Sequence, residues 1–145
     1  KDAYLPPSTP VWQETWDITT ALLPQFNHEV TQNGASFHVL TLSNGVQVHP
    51  DPVLRQEYQK EFGIADLFYP DRRIRAIGES VGFPVLSLAP EFQAYAERNK
   101  IYLHGFENTK LGIGHWNENG HRLAGEMLSE NLCAWLTAKN QGSAH

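Results

Sequence analysis

The sequence predicts a layered α/β domain built on a parallel sheet. Residues 37–42 are apolar and β-branched enough to form a buried strand, and residues 85–88 form a second, shorter one. Amphipathic segments with helical periodicity precede, separate and follow these two stretches. Helices that alternate with short buried strands are typical of α/β domains with a parallel sheet.

The first helix is expected to begin at Val11. From there, apolar and aromatic residues recur at three- and four-residue steps, namely Trp12, Trp16, Thr19, Leu22, Leu23 and Phe26. Pro24 has no amide hydrogen and is expected to kink or interrupt this helix. The Gln-Asn-Gly run at 32–34 is typical of a helix end.

Signals for three more helices occupy the middle of the chain. Asp51 and Pro52 have the pattern of an N-cap followed by a first-turn proline, and they predict a helix that ends at Gly63. Residues 71–82 form the next helix, which ends at a glycine, and residues 91–99 form another after the second strand.

The last helix is predicted from about residue 118 to about residue 137. Either Asn117 or Asn119 is expected to cap its start. Its apolar side chains fall on one stripe, formed by Leu128, Leu132, Trp135 and Leu136. A helix of this kind is expected to pack that stripe against the rest of the domain.

The chain divides into three parts by composition. Residues 1–10 contain three prolines and have the character of a lead-in or linker, residues 11–138 form the α/β domain, and residues 139–145 form a tail. A doubly wound sheet has about five or six strands, whereas only two are evident here. We therefore expect an incomplete sheet with an unprotected edge.

Composition excludes several classes of function. A net charge of -5 argues against nucleic-acid binding, which requires a basic face. No stretch approaches the about 18 consecutive apolar residues of a membrane span. The single cysteine, Cys133, rules out an internal disulfide and lies in an apolar helical stretch, where a buried inert thiol is expected.

Two motifs carry little information. The GESVG stretch at 78–82 has the letters of a nucleophile elbow, but a helical pattern precedes Ser80 and a strand follows it, which reverses the required order. His115 and His121 are six residues apart and do not share a helix face, so a metal site is not expected from them. A site that uses His104 and Glu107 from the irregular segment is the remaining metal alternative.

His115 is the strongest candidate for chemistry. It lies on a glycine-rich loop immediately before the last helix, a position from which a side chain projects into a cleft at the edge of an α/β sheet. Histidine suits the role of general base because its unperturbed pKa is near 6.5. On spacing alone, the alternative is a loop histidine that helps to cap a helix.

The stretch GHWNENGHRLAGEMLSENL resembles the last sequence block of the SGNH (also called GDSL) hydrolases and related O-acetyl transferases. The similarity extends over roughly residues 12–137 and implies a flavodoxin-like three-layer fold and ester hydrolysis through an acyl-serine intermediate, without metal or cofactor. It implies that His115 is the general base, that Trp116 and Asn117 shape the binding loop, and that Gly120 allows close helix packing. His121 is then a supporting residue, and the substrate is a small ester or an acetylated carbohydrate.

The chain departs from the family pattern in two places. The aspartate that normally orients the histidine would lie at Gly112 or Ile113, so a backbone carbonyl, a water molecule or Glu107 must replace it. No Gly-Asp-Ser motif occurs in residues 1–60. We therefore expect a C-terminal portion of an SGNH-type domain that lacks its nucleophile and is inactive alone.

Two further expectations follow from the missing strands. The incomplete sheet is expected to self-associate or to lean on neighbours. The alternative to an enzyme is a non-catalytic α/β interaction module that binds a partner through its exposed edge strand. The sequence does not determine the cellular compartment, although a secreted or periplasmic location is the one it favours.

Overall fold

The computed structural model describes residues 1–142 and the side chains of residues 1–137. After a short 3₁₀ turn at Asp2–Tyr4, five helices and two strands follow one another along the chain. They are α1 (Pro10–Gln32), β1 (Val39–Thr41), α2 (Pro52–Phe62), α3 (Tyr69–Val81), β2 (Val85–Ser87), α4 (Ala89–Asn99) and α5 (Glu118–Gly142). The predicted α/β class is confirmed.

The sheet consists of β1 and β2, which pair in parallel. Leu40 lies opposite Leu86 in this register. Both predicted strands exist, and each is shorter than its apolar stretch. Within the described residues each strand has only the other as a partner, so each has one edge without a strand.

The residues predicted to begin and end the helices do so in the structure. Asp51 accepts a hydrogen bond from the amide of Val53 at 2.8 Å and caps α2. Gly63 (φ 65°) and Gly82 (φ 91°) end α2 and α3 in the left-handed conformation that glycine adopts without strain. At the start of α5, Asn117 accepts from the amide of Gly120 at 3.1 Å, which selects Asn117 over Asn119 as the cap.

The predicted interruption at Pro24 is wrong, because α1 continues through it to Gln32. Proline removes one helical hydrogen bond, the one to the carbonyl of residue 20. Thr20 is exposed, so water can satisfy that carbonyl. Trp16 also ties α1 to α3: it is buried, and the guanidinium of Arg73 lies 4.1 Å from its ring.

The core lies where α4 and α5 meet two loop segments. Leu88 and Phe92 of the α4 region are fully buried, and Val48 and Leu103 reach the same cluster from the loops after β1 and α4. This packing fixes residues 43–48 and 103–104 against each other. Two distant parts of the chain are thereby held at the carboxyl end of β1.

Three features of the outer structure bear on the predictions. Cys133 is exposed, so the prediction of a buried thiol is wrong. Ser80 lies in the last turn of α3 and donates to the carbonyl of Ile77 at 2.8 Å, which is a helical contact and not a nucleophile elbow. Tyr4 of the lead-in is buried in a small cluster with Ile64 and Leu67.

Across residues 1–142 we find no helix with the length and apolar content required to span a membrane.

Candidate active site

The candidate site lies where the chain leaves β1. Leu42 and Ser43 follow the strand directly, and the chain then turns at Asn44 and Gly45. The carboxyl ends of parallel strands are the usual position of ligand sites in α/β sheets. A second segment, residues 104–116, closes over this point, and we call it the 104–116 loop.

Backbone contacts hold the 104–116 loop in place. His104 and Trp116 form an isolated antiparallel bridge at its base. The amide of Gly112 donates to the carbonyl of His104 at 2.8 Å. Gly45 packs so closely that a Cβ added to it would collide with the carbonyl oxygen of Gly112. Glycine is therefore required at position 45 for close backbone approach.

A hydrogen-bonded relay runs through the site. The Oγ of Ser43 lies 3.0 Å from Nε2 of His104, and Nδ1 of the same ring lies 2.8 Å from the carbonyl oxygen of Gly114. A carbonyl oxygen only accepts, so the proton of neutral His104 is on Nδ1. Nε2 then accepts from the Ser43 hydroxyl. The hydroxyl, the imidazole and the carbonyl that orients it follow one another in the order that acyl transfer requires.

Trp116 makes a second hydrogen bond to the hydroxyl of Ser43. Its indole Nε1 donates to Ser43 Oγ at 2.9 Å. The indole is held by Phe92, 5.4 Å away between ring centroids, and by the edge of His121 at 5.6 Å. A hydroxyl has one proton and two lone pairs, so the serine retains one lone pair that faces neither His104 nor Trp116.

Burial keeps His104 neutral. The residue is only 3 % exposed. Desolvation lowers the pKa of His104 below the ordinary 6.5. The hydrogen bond to the Gly114 carbonyl raises this pKa, whereas the nearby charge of His115 lowers it further. A neutral imidazole at pH 7 is the form that accepts a proton from a serine.

His115 shares the pocket but has no such contacts. With Ser43, His104, Trp116 and His121, it lines a cavity of about 350 Å³. Its backbone carbonyl accepts from the amide of Gly105 at 2.9 Å, whereas its exposed ring has no hydrogen bond within the described part of the chain. The ring is thus open to a ligand and is not oriented by a protein group.

The other predicted site residues have different surroundings. Asn117 caps α5 and donates through Nδ2 to the carbonyl of Tyr102 at 2.9 Å, so its amide is used for structure. Glu107 is exposed and is not among the residues that line the cavity. Among the described residues, no three His, Cys, Asp or Glu side chains are grouped as metal ligands.

Sequence reasoning did not identify Ser43 or the role of His104. Ser43 is separated from His104 by 61 positions and from Trp116 by 73. The available signal was positional, because Ser43 follows a predicted strand and precedes an Asn-Gly turn. His104 lies between the buried Leu103 and Gly105, whose backbone φ is 77°.

Comparison of the chain with protein-family models, curated proteins and solved structures finds no match. Function is therefore inferred from the geometry of the site, together with the resemblance of its final sequence block.

Proposed function

We propose that this protein hydrolyses esters through an acyl-serine intermediate, with Ser43 as nucleophile and His104 as general base. The observation that carries this proposal is the relay, in which one ring nitrogen of His104 lies 3.0 Å from Ser43 Oγ and the other is held by Gly114. In this proposal the nucleophile is a residue of the chain itself. The resemblance alone had implied a nucleophile elsewhere and an inactive chain.

The reaction follows from the relay. Ser43 Oγ attacks the ester carbonyl carbon while Nε2 of His104 takes its proton, and the resulting imidazolium then protonates the departing alcohol. Water, deprotonated by the same nitrogen, releases the acid and restores the serine. The Gly114 carbonyl stabilises the imidazolium, where other sites use an aspartate. The amide of Ser43 has no hydrogen bond in the described structure and is the candidate donor to the oxyanion.

Geometry favours His104 over His115 as the base. A general base must lie within hydrogen-bonding distance of the proton it removes and must be held in one orientation. His104 meets both conditions, whereas His115 meets neither in the described structure. The exposed ring of His115, open to the same cavity, is suited to contact the substrate.

The wider proposal retains the SGNH-type interpretation. We propose that β1, β2 and their helices form part of a flavodoxin-like three-layer domain that acts on a small ester or an acetylated carbohydrate. If the relay proves structural only, the alternative is an interaction module that associates through the free edge of β1 or β2. Measurement of oligomeric state by light scattering over a range of concentration tests that alternative.

The pH dependence of hydrolysis distinguishes the two histidines. Because His104 must be neutral to act and burial lowers its pKa, kcat/KM for phenyl acetate should fall only below pH 6.5, with an inflection lower than that of an ordinary histidine. His115→Gln should keep an inflection below that of an ordinary histidine, because burial, the largest cause of the lowered pKa of His104, is unchanged. His104→Gln should abolish saturable turnover.

His28→Gln is the matched control, because His28 is exposed on α1 and does not line the cavity. It should behave like the wild-type chain. Loss of turnover in His115→Gln, with turnover retained in His104→Gln, would assign the base to His115 and overturn the relay mechanism.

A further inference from the structure

A second cavity adjoins the relay. It encloses about 500 Å³ between the 104–116 loop and α2, within the range of small-molecule sites. Its walls are largely apolar and include Val46, Leu54, Leu111 and Ile113. A cavity of this size and lining accepts an aromatic ring or a short acyl chain.

Two residues that line this cavity are immediate chain neighbours of residues in the relay. Asn44 lines it and directly follows Ser43, while Ile113 lines it and directly precedes Gly114. Both chain segments that build the relay therefore continue into the cavity. A substrate with its ester carbonyl at Ser43 can extend one of its two halves into this space.

The charged side chains of the cavity lining are both cationic, Arg55 and Lys110. Lys110 has no ion pair within the described residues, and no described lining residue is acidic. Nδ1 of His49 accepts from the amide of Asp51 at 3.1 Å, so the neutral ring carries its proton on Nε2. Arg55 also lines the cavity, but Glu97 and the carbonyl of His49 already bind its guanidinium.

We infer that this cavity binds a carboxylate-bearing half of the ester substrate, with the carboxylate at Lys110 and the apolar body over Val46 and Ile113. In a chain of net charge -5, an unpaired cation beside the site selects for an anionic ligand locally. The inference rests on the proposed function, because it assigns the specificity of the same site. Lys110 is a specificity-determining residue in this arrangement.

A matched pair of substrates tests the assignment. 4-Acetoxybenzoate carries the carboxylate and its methyl ester does not, while both release a phenol of similar shape. The wild-type chain should prefer the carboxylate about fivefold in kcat/KM, because an exposed lysine–carboxylate pair contributes a factor of that order at most. The two substrates should differ in KM and not in kcat, and this difference should decrease as salt is added.

Lys110→Gln should remove this preference by raising KM for the carboxylate ester to the value for the neutral ester. Lys60→Gln, which makes the same charge change on the exposed surface of α2, should preserve it. Equal turnover of the two esters by the wild-type chain, or a preference that survives Lys110→Gln, overturns the inference.

Binding of 4-hydroxybenzoate to the full chain separates this inference from the proposed function. We expect amide shifts at cavity residues in NMR titrations of the wild type, and their loss in Lys110→Gln. If the chain binds this product but hydrolyses no ester, the cavity assignment stands and the catalytic proposal fails. Absence of shifts at the cavity in the wild type overturns the cavity assignment.

Discussion

Replacement of Ser43 by alanine is expected to reduce kcat for ester hydrolysis by about 10⁴-fold or more, since loss of one member of a nucleophile–base unit has an effect of that order. In the proposed mechanism the hydroxyl supplies the oxygen that becomes acylated, and no other described serine makes a hydrogen bond to His104. Steady-state hydrolysis of phenyl acetate by the purified chain measures the loss.

Folding of the Ser43→Ala variant must be checked separately. The change leaves Nε2 of His104 and the indole of Trp116 without their shared partner, and each unsatisfied buried group costs about 1–3 kcal/mol. Circular dichroism melts report this loss. Ser80→Ala is the matched control, because Ser80 only bonds the carbonyl of Ile77, and its kcat should equal that of the wild type. Wild-type turnover by folded Ser43→Ala would exclude Ser43 as nucleophile.

Gly45→Ala is expected to produce the second largest effect. The added methyl group would collide with the carbonyl of Gly112, and neither backbone segment can move without displacing the other. Such overpacking costs about 1–3 kcal/mol and occasionally more. For a chain of this length that corresponds to a fall in Tm of about 2–12 °C, measurable by differential scanning calorimetry.

The same substitution should also impair catalysis. Gly112 donates to the carbonyl of His104, so its displacement moves the base relative to Ser43. Gly125→Ala provides the control, because a Cβ at that position on α5 meets no atom within 4 Å and alanine favours helix. An unchanged Tm and unchanged kcat in Gly45→Ala would show that the close approach does not hold the loop.

The fold was predictable where local chemistry determines it. Asp51 caps α2 and Gly82 ends α3 because each interaction involves residues only a few positions apart. The apolar runs around Leu40 and Leu86 marked both strands, and their parallel pairing followed from the helices between them. The failure at Pro24 has a physical reason: the expectation ignored that solvent at Thr20 can replace the lost bond.

The candidate site was predictable only in part. The glycine-rich loop before α5 was expected to carry chemistry, and it does border the cavity with His115. The relay was not foreseen because its contacts join chain segments that periodicity does not relate. Core packing of Val48 and Leu103 and the close approach of Gly45 to Gly112 bring Ser43 to His104, and no local pattern encodes such contacts between distant segments.

Covalent labelling of the full chain tests the catalytic assignment most directly. A serine whose proton is accepted by a held histidine reacts with a fluorophosphonate, whereas ordinary serines do not. We expect one adduct per chain by intact mass, located on Ser43 by peptide mapping, and no adduct in His104→Gln. A chain that remains unlabelled, or that carries the adduct at another residue such as Ser80, would contradict the assignment of Ser43 and His104 as nucleophile and base.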